Sequence, residues 1–176
     1  MAELQGLGDG AGVMRVYIAN RPPFTFIEQN NSIAPLQQSE IYAVGQACGN
    51  GWRKVFNVYA KLMYALSPQR AIGMQAAEFA SWQAYRDQRL LQKNSATALL
   101  FSPSAPDFSD PDVIHLVAGR TFASSLNLPP TLVWLDKEFA IDRDNKLIVC
   151  PYFDYRQLSN SKIILLIELI TQLDLE

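Results

Sequence analysis

Residues 113–126 read Val-Ile-His-Leu-Val-Ala-Gly-Arg-Thr-Phe-Ala-Ser-Ser-Leu (VIHLVAGRTFASSL), and the fold class turns on them. The run 113–118 is apolar on both faces and rich in β-branched residues, the pattern of a strand buried on both sides. Gly119 ends it, and 121–126 then forms a short helix. The alternative is one helix that starts with Pro111 in its first turn and runs through Leu126.

The same alternation recurs on either side. Toward the C-terminus, 131–135 (TLVWL) and 147–150 (LIVC) read as strands. Between them, Asp142-Arg143-Asp144-Asn145 is a turn signal that makes 140–147 hairpin-like. Residues 159–173 close the chain as a helix capped by Ser159, Asn160 or Ser161. Its apolar positions Ile163, Ile164, Leu166, Ile167 and Ile170 pack it on the sheet. Toward the N-terminus, 97–101 (TALLF) is a short buried strand, closed by Ser102-Pro103-Ser104-Ala105-Pro106. The spacing of Phe79, Trp82 and Tyr85 predicts a long helix over 76–92. The clearest helix is 52–66, where Trp52, Val55, Phe56, Tyr59, Leu62, Met63 and Leu66 follow three- and four-residue steps. Residues 41–48 read either as a helix, with Ser39 as cap and Gly49 as stop, or as a short strand ending at Gly45. Residues 27–35 are polar loop, and 13–19 (VMRVYIA) is a strand that Pro22-Pro23 must end. Residues 1–12, rich in glycine, read as a flexible N-terminal arm. Together these elements predict an α/β fold: one three-layer domain over 1–176, with a central, mostly parallel or mixed sheet of four to five strands flanked by helices.

Composition supports a packed globule. The 176 residues are 49% hydrophobic and 18% charged, too apolar and too lightly charged for a disordered chain. A chain of this length buries roughly 70% of its unfolded surface without a staple. Net charge is −2, from 15 basic and 17 acidic side chains, so no overall field draws the protein to nucleic acid. The basic stretch Arg53, Lys54, Lys61, Arg70, Arg86, Arg89 and Lys93 reads as the solvated face of two helices. With two cysteines and one histidine, these residue types assemble no zinc or iron–sulfur set. The expectation is no metal and no cofactor, with Cys48 and Cys150 as free thiols. Residues 1–12 lack the basic and apolar regions of a signal peptide. The apolar run 163–170 is too short to span a bilayer and carries Glu168, so the expected location is cytoplasmic.

In open α/β sheets, ligands bind beyond the carboxyl ends of strands. That rule selects three loops: Asn20-Arg21-Pro22-Pro23-Phe24, the segment 102–107, and 151–160 (PYFDYRQLSN). The candidate ligand-binding residues are Asn20, Arg21, Ser102, Asp107, Asp154, Tyr155, Arg156, Ser159 and Asn160. The third loop could stack a flat ligand and hold an anion at the start of the last helix; an ordinary Ser or Asn cap explains the same residues. The glycine cluster 45–51 has neither a Gly-Lys-Ser/Thr ending nor dinucleotide spacing, so it reads as a helix–helix turn. His115, in an apolar strand, reads as a hydrogen-bonded core residue, and no Gly-x-Ser-x-Gly elbow exists to present a nucleophile.

The order of these features resembles the uracil-DNA glycosylase superfamily. Ile18-Ala19-Asn20-Arg21-Pro22-Pro23 stands where that family places its first active-site loop. Cys150-Pro151-Tyr152-Phe153-Asp154 through Leu158-Ser159-Asn160 stands at its second, and 113–119 followed by Arg120-Thr121-Phe122-Ala123 is similar to its Gly-Arg stretch. The sequence departs from the pattern twice. Cys150-Pro151 replaces His-Pro-Ser, and the first loop has no carboxylate to activate water. A small uncharacterised bacterial family is the alternative. The resemblance implies a pocket for a nucleotide or nucleobase, in a divergent or inactive glycosylase-like protein. The competing function is a non-catalytic protein-interaction domain, using the basic face around Arg53, Lys54 and Lys61 or the aromatic stretch 79–85. The expected partners are a nucleotide, a nucleobase or a small anionic ligand, with nucleic acid an alternative that the net charge does not favour, no membrane, and no oligomeric state assigned.

Overall fold

The computed structural model describes residues 5–24, 27, 32–66, 75–101 and 106–174. In chain order the elements are β1 (Gly6–Gly8), β2 (Met14–Tyr17), β3 (Ile33–Ala34), α1 (Glu40–Cys48), α2 (Asn50–Leu66), α3 (Trp82–Gln88), β4 (Thr97–Leu100) and β5 (Ile114–Ala118). Then follow α4 (Arg120–Ser125), β6 (Val133–Trp134), β7 (Ala140–Asp142), β8 (Leu147–Cys150) and α5 (Asn160–Asp174). The strands form one mixed sheet in the order β3-β1-β4-β2-β5-β8-β7-β6.

Four strands, β4-β2-β5-β8, are mutually parallel and form its centre. β4, β5 and β8 are buried along their whole length, which is why they read as apolar runs, and β2 departs from this only at half-buried Arg15. Strand alternation sorts their side chains onto two faces. Met14, Val16, Leu99, Ile114, Leu116, Ile148 and Cys150 join the core under α1, α2, α3 and α5. Tyr17, Ala98, Leu100, Val117, Leu147 and Val149 face the other way, beneath α4 and loops carrying Phe108, Leu128 and Leu132. Helix α2 buries Val55, Phe56, Tyr59, Leu62 and Met63 as its spacing requires. The stretch 113–126 is a strand followed by a helix, and 41–48 is helical.

The sheet holds eight strands, not four to five. The additional ones are two or three residues long, below the length at which alternation shows in a sequence. Residues 6–8 are the clearest correction: not a flexible arm but β1, buried and antiparallel to β4. Their glycines serve close approach. A Cβ on Gly6 would lie 2.2 Å from the Leu99 carbonyl oxygen, and Gly8 sits at φ +116° against the Ala98 backbone. The polar stretch 27–35 contributes β3, parallel to β1.

The helix expected over 76–92 is also broken. A 3₁₀ turn, Ala76–Glu78, is followed by extended Phe79, and Ser81 restarts the chain as a helix cap by accepting the Ala84 N–H at 3.1 Å. Of 131–135, only Val133 and Trp134 pair, with β7. On α5, Ile163, Leu166 and Ile170 are buried, but Ile164 faces outward and is 61% exposed. Among the described residues, no helix is long and apolar enough to cross a membrane.

Candidate functional site

The chain leaves β2 toward β4 on one side and later crosses to β5 on the other, so the sheet reverses its winding between β2 and β5. Backbones diverge at such a point and leave a crevice beyond the carboxyl ends. A cleft of about 750 Å³ lies there. Its floor is built from small residues at strand ends: Ala19, Ala118, Gly119 and Pro151. One wall is α4, presenting Arg120, Thr121, Phe122 and Ser125; Lys137 and Glu138 extend it, and Asn20, Tyr152 and Gln157 face it.

Local chemistry positions each group. Gly119 adopts φ +100°, which favours glycine, and its N–H donates to the Cys150 carbonyl at 2.8 Å. That bond ties the ends of β5 and β8 together and starts α4 at the cleft. Arg120 donates to the Lys137 carbonyl at 2.9 Å, and its guanidinium lies 4.5 Å from the centre of the Trp134 ring. Lys162 pairs with Glu138 at 2.6 Å. In the loop after β8, Phe153 and Leu158 are anchors buried in the core. Phe153 meets Tyr59 edge-on at 5.8 Å. Between these anchors, the Asp154 carbonyl accepts the N–H groups of Gln157 and Leu158, both at 2.8 Å. Tyr152 lines the cleft and hydrogen-bonds the Asn20 side chain; partial burial raises its pKa, so it stays a neutral phenol.

The cleft thus combines two aromatic groups, Phe122 and Tyr152, two side-chain amides, Asn20 and Gln157, and two cations, Arg120 and Lys137. Its carboxylate, Glu138, is held by Lys162. Among the described residues, no three His, Cys, Asp or Glu side chains are grouped so as to hold a metal ion.

Of the residues expected from the sequence, Asn20 lines this cleft. Arg21 hydrogen-bonds Gln5 and lies 6.0 Å from the Phe101 ring centre. Ser102 lies outside the described residues. Asp107 is on an exposed segment over the other sheet face, where it accepts the Ser109 N–H at 3.0 Å; that bond lowers its pKa. Asp154 pairs with Lys54 at 3.6 Å and Arg156 at 4.0 Å. Tyr155 is exposed between those same two cations, 5.1 and 5.7 Å from its ring centre. Ser159 and Asn160 lie at the start of α5, with the Ser159 hydroxyl 3.2 Å from that of Ser161. The third loop therefore contributes Pro151, Tyr152 and Gln157 to the cleft, while Asp154, Tyr155 and Arg156 form a separate surface cluster. The sequence names Arg120, Thr121 and Phe122 only through the glycosylase resemblance and not as binding residues. Gly119 was their signal, because a glycine that ends a buried parallel strand opens a fourth loop at the carboxyl edge. Lys137 and Glu138 come from the β6–β7 hairpin and carried no such mark.

A second polar group lies beneath the segment 106–112. Tyr17 Oη and His115 Nδ1 are 2.7 Å apart, and the Phe108 ring meets the imidazole edge-on at 4.9 Å. Arg15 stands opposite His115 in the β2–β5 register. Burial, with Arg15 adding to it, pushes His115 down to about 4, so the ring is neutral. His115 Nε2 and Arg15 Nε have no hydrogen-bond partner among the described residues.

Residues 5–171 match a family described as "Family of unknown function (DUF6942)", and the chain belongs to it. No curated protein and no solved structure matches the chain. The glycosylase resemblance has no counterpart in these comparisons.

Proposed function

We propose that this member of the DUF6942 family binds a nucleotide or nucleobase in the cleft at the carboxyl ends of β2, β5 and β8. The observation that carries the reading is the cleft's lining. It sets flat rings, amides and cations in one concavity at the winding reversal of a parallel sheet. A planar base suits the Phe122 and Tyr152 rings. The amides of Asn20 and Gln157 can each donate and accept, as the edge of a base requires. Arg120 and Lys137 suit a phosphate, and Arg120 is already oriented by the Lys137 carbonyl and Trp134. The proposal is of binding, with glycosylase-like descent as its finer form.

A thermal-shift screen of nucleobases, nucleosides, mononucleotides and short oligonucleotides tests it. At least one of these should raise the melting temperature of the wild-type protein, and the shift should shrink in Phe122→Ala and in Arg120→Gln. No shift with any of them at millimolar concentration defeats the reading.

The second reading, an interaction domain, is favoured by the β6 edge. Val133, Trp134 and Leu135 are 59%, 39% and 52% exposed there, and an uncharged apolar edge strand invites pairing. The basic face and the aromatic stretch 79–85 favour it less. Tyr85 is buried, and Trp82 lies under Lys61 and Arg86.

A further inference from the structure

Away from the cleft, α1, α2 and α3 meet around a dimple of about 110 Å³ on the outer side of the helical layer. That is roughly the volume of three or four waters, too small for a nucleoside. Two guanidinium groups from different helices line it, Arg53 of α2 and Arg86 of α3, with Asn57, Gln46 and Tyr42 around them and Phe56 beneath.

The two arginines are held differently. Arg86 is a fixed fork. Asp87 accepts from its Nε at 2.8 Å and from Nη2 at 3.2 Å, Asn57 accepts from Nη1 at 2.7 Å, and the guanidinium lies 5.4 Å from the Trp82 ring centre. Its charge is balanced by Asp87. Arg53 has a neutral partner, the Asn50 side chain, and no carboxylate pairs with it among the described residues. Its stem lies across α1 at Gly45, where an added Cβ would fall 2.8 Å from Arg53 Cγ. Gly45 lies within the helix, where glycine is the poorest former after proline. Its lack of a side chain lets the arginine lie over α1 and bring its charge to the dimple. The acids around this face are already engaged: Glu40 accepts from the Gln37 N–H, Asp87 holds Arg86, and Glu78 faces Arg89. Lys61 adds a further cation, 5.0 Å from the Trp82 ring centre.

We infer that this dimple is a binding site for a phosphate-sized oxyanion. Arg53 supplies the unbalanced charge, and the Gln46 amide and Tyr42 hydroxyl supply neutral donors. A guanidinium is weakly hydrated and presents several N–H groups in one plane, so it exchanges water for an oxyanion at low cost. The inference does not rest on the cleft, which lies at the carboxyl edge of the sheet and is lined by other residues.

Calorimetric titration with inorganic phosphate tests it, with sodium chloride at matched ionic strength as the control. Wild-type protein should bind phosphate and show no response to chloride. Arg53→Gln should weaken binding by about tenfold or more, the loss expected for a charge-assisted hydrogen bond. Gly45→Ala should weaken it comparably, by crowding the Arg53 stem, while melting no lower than wild type, since alanine favours the helix. With Arg120→Gln removing the cleft's own phosphate ligand, the binding that depends on Arg53 should persist. The inference is overturned if phosphate does not bind, if chloride reproduces the response, if Arg53→Gln binds as wild type does, or if the response disappears in Arg120→Gln instead.

Discussion

The two faces of the central sheet are built by different means. Among the described residues, one is covered by the four helices α1, α2, α3 and α5, and its buried side chains form one large apolar cluster. The other is covered by a six-residue helix and by loops, over a smaller cluster. It also carries the buried polar pair Tyr17 and His115. Helices satisfy their own backbone, and the polar groups buried on the first face, Ser95, Thr97 and the Tyr59 hydroxyl, bond one another or nearby backbone. The loops cover the Tyr17–His115 pair, whose side chains bond each other. The cleft lies on the rim of the thinner face, where α4 is short enough to leave space beyond the strand ends. The helical face supplies stability, and the thin face supplies room and polar chemistry.

The largest expected effect tests that division. Phe56 is 1% exposed in the helical core, and Leu126 is 8% exposed beside α4. Phe56→Ala should cost about 3–5 kcal/mol in denaturant unfolding, because a rigid helical layer cannot collapse into the cavity. Leu126→Ala should cost less, about 2 kcal/mol or under, because loops on that face can relax. Equal losses would break the comparison.

The second prediction concerns the polar pair. His115 is held at about 4 in the folded protein, against about 6.5 when unfolded. The unfolded chain therefore binds the extra proton first. The stability that neutral His115 contributes is fully present above pH 6.5 and is lost as pH falls toward 4. A shift of this size corresponds to about 3 kcal/mol at most. Asp107, whose pKa is lowered, adds a loss in the same direction at lower pH. In His115→Gln, the slope of unfolding free energy against pH between 6.5 and 4 should flatten. An unchanged slope would show that the histidine is not buried in neutral form.

The same contrast explains what could be read from the sequence. Helix α2 was legible because seven apolar residues keep helical spacing over four turns, and the parallel strands were legible because burial on both faces leaves an apolar run. β1 was not, because Gly6 and Gly8 signal flexibility in a sequence yet serve close packing against β4. Nor was the break before α3, since Phe79, Trp82 and Tyr85 keep a helical period across Ser81, the cap that starts the helix. At the site, the rule of carboxyl ends located the crevice and found Asn20 and the loop after β8. It could not show which residues of that loop turn inward. Phe153 and Leu158 decide that by anchoring in the core, which leaves Tyr152 and Gln157 on the cleft side and Arg156 outside.

Arg156 gives the smallest effect and the sharpest test of that last point. A guanidinium just before a helix is a natural candidate for an anion ligand, yet its side chain is 69% exposed, 4.0 Å from Asp154 and alongside Tyr155. Asp154 keeps Lys54 as its other partner at 3.6 Å and the Arg156 backbone N–H at 2.9 Å, so removing the guanidinium strands no buried charge. Exposed pairs of this kind contribute little. Arg156→Ala should therefore change stability by less than about 0.5 kcal/mol. If the cleft is the nucleotide site, it should also leave any nucleotide-induced melting shift unchanged, whereas Arg120→Gln should reduce that shift. Loss of the shift in Arg156→Ala, with Arg120→Gln unaffected, would move the site from the cleft to the surface cluster of Lys54, Tyr155 and Arg156. It would also make the thin face structural only, removing the functional half of the contrast between the two faces.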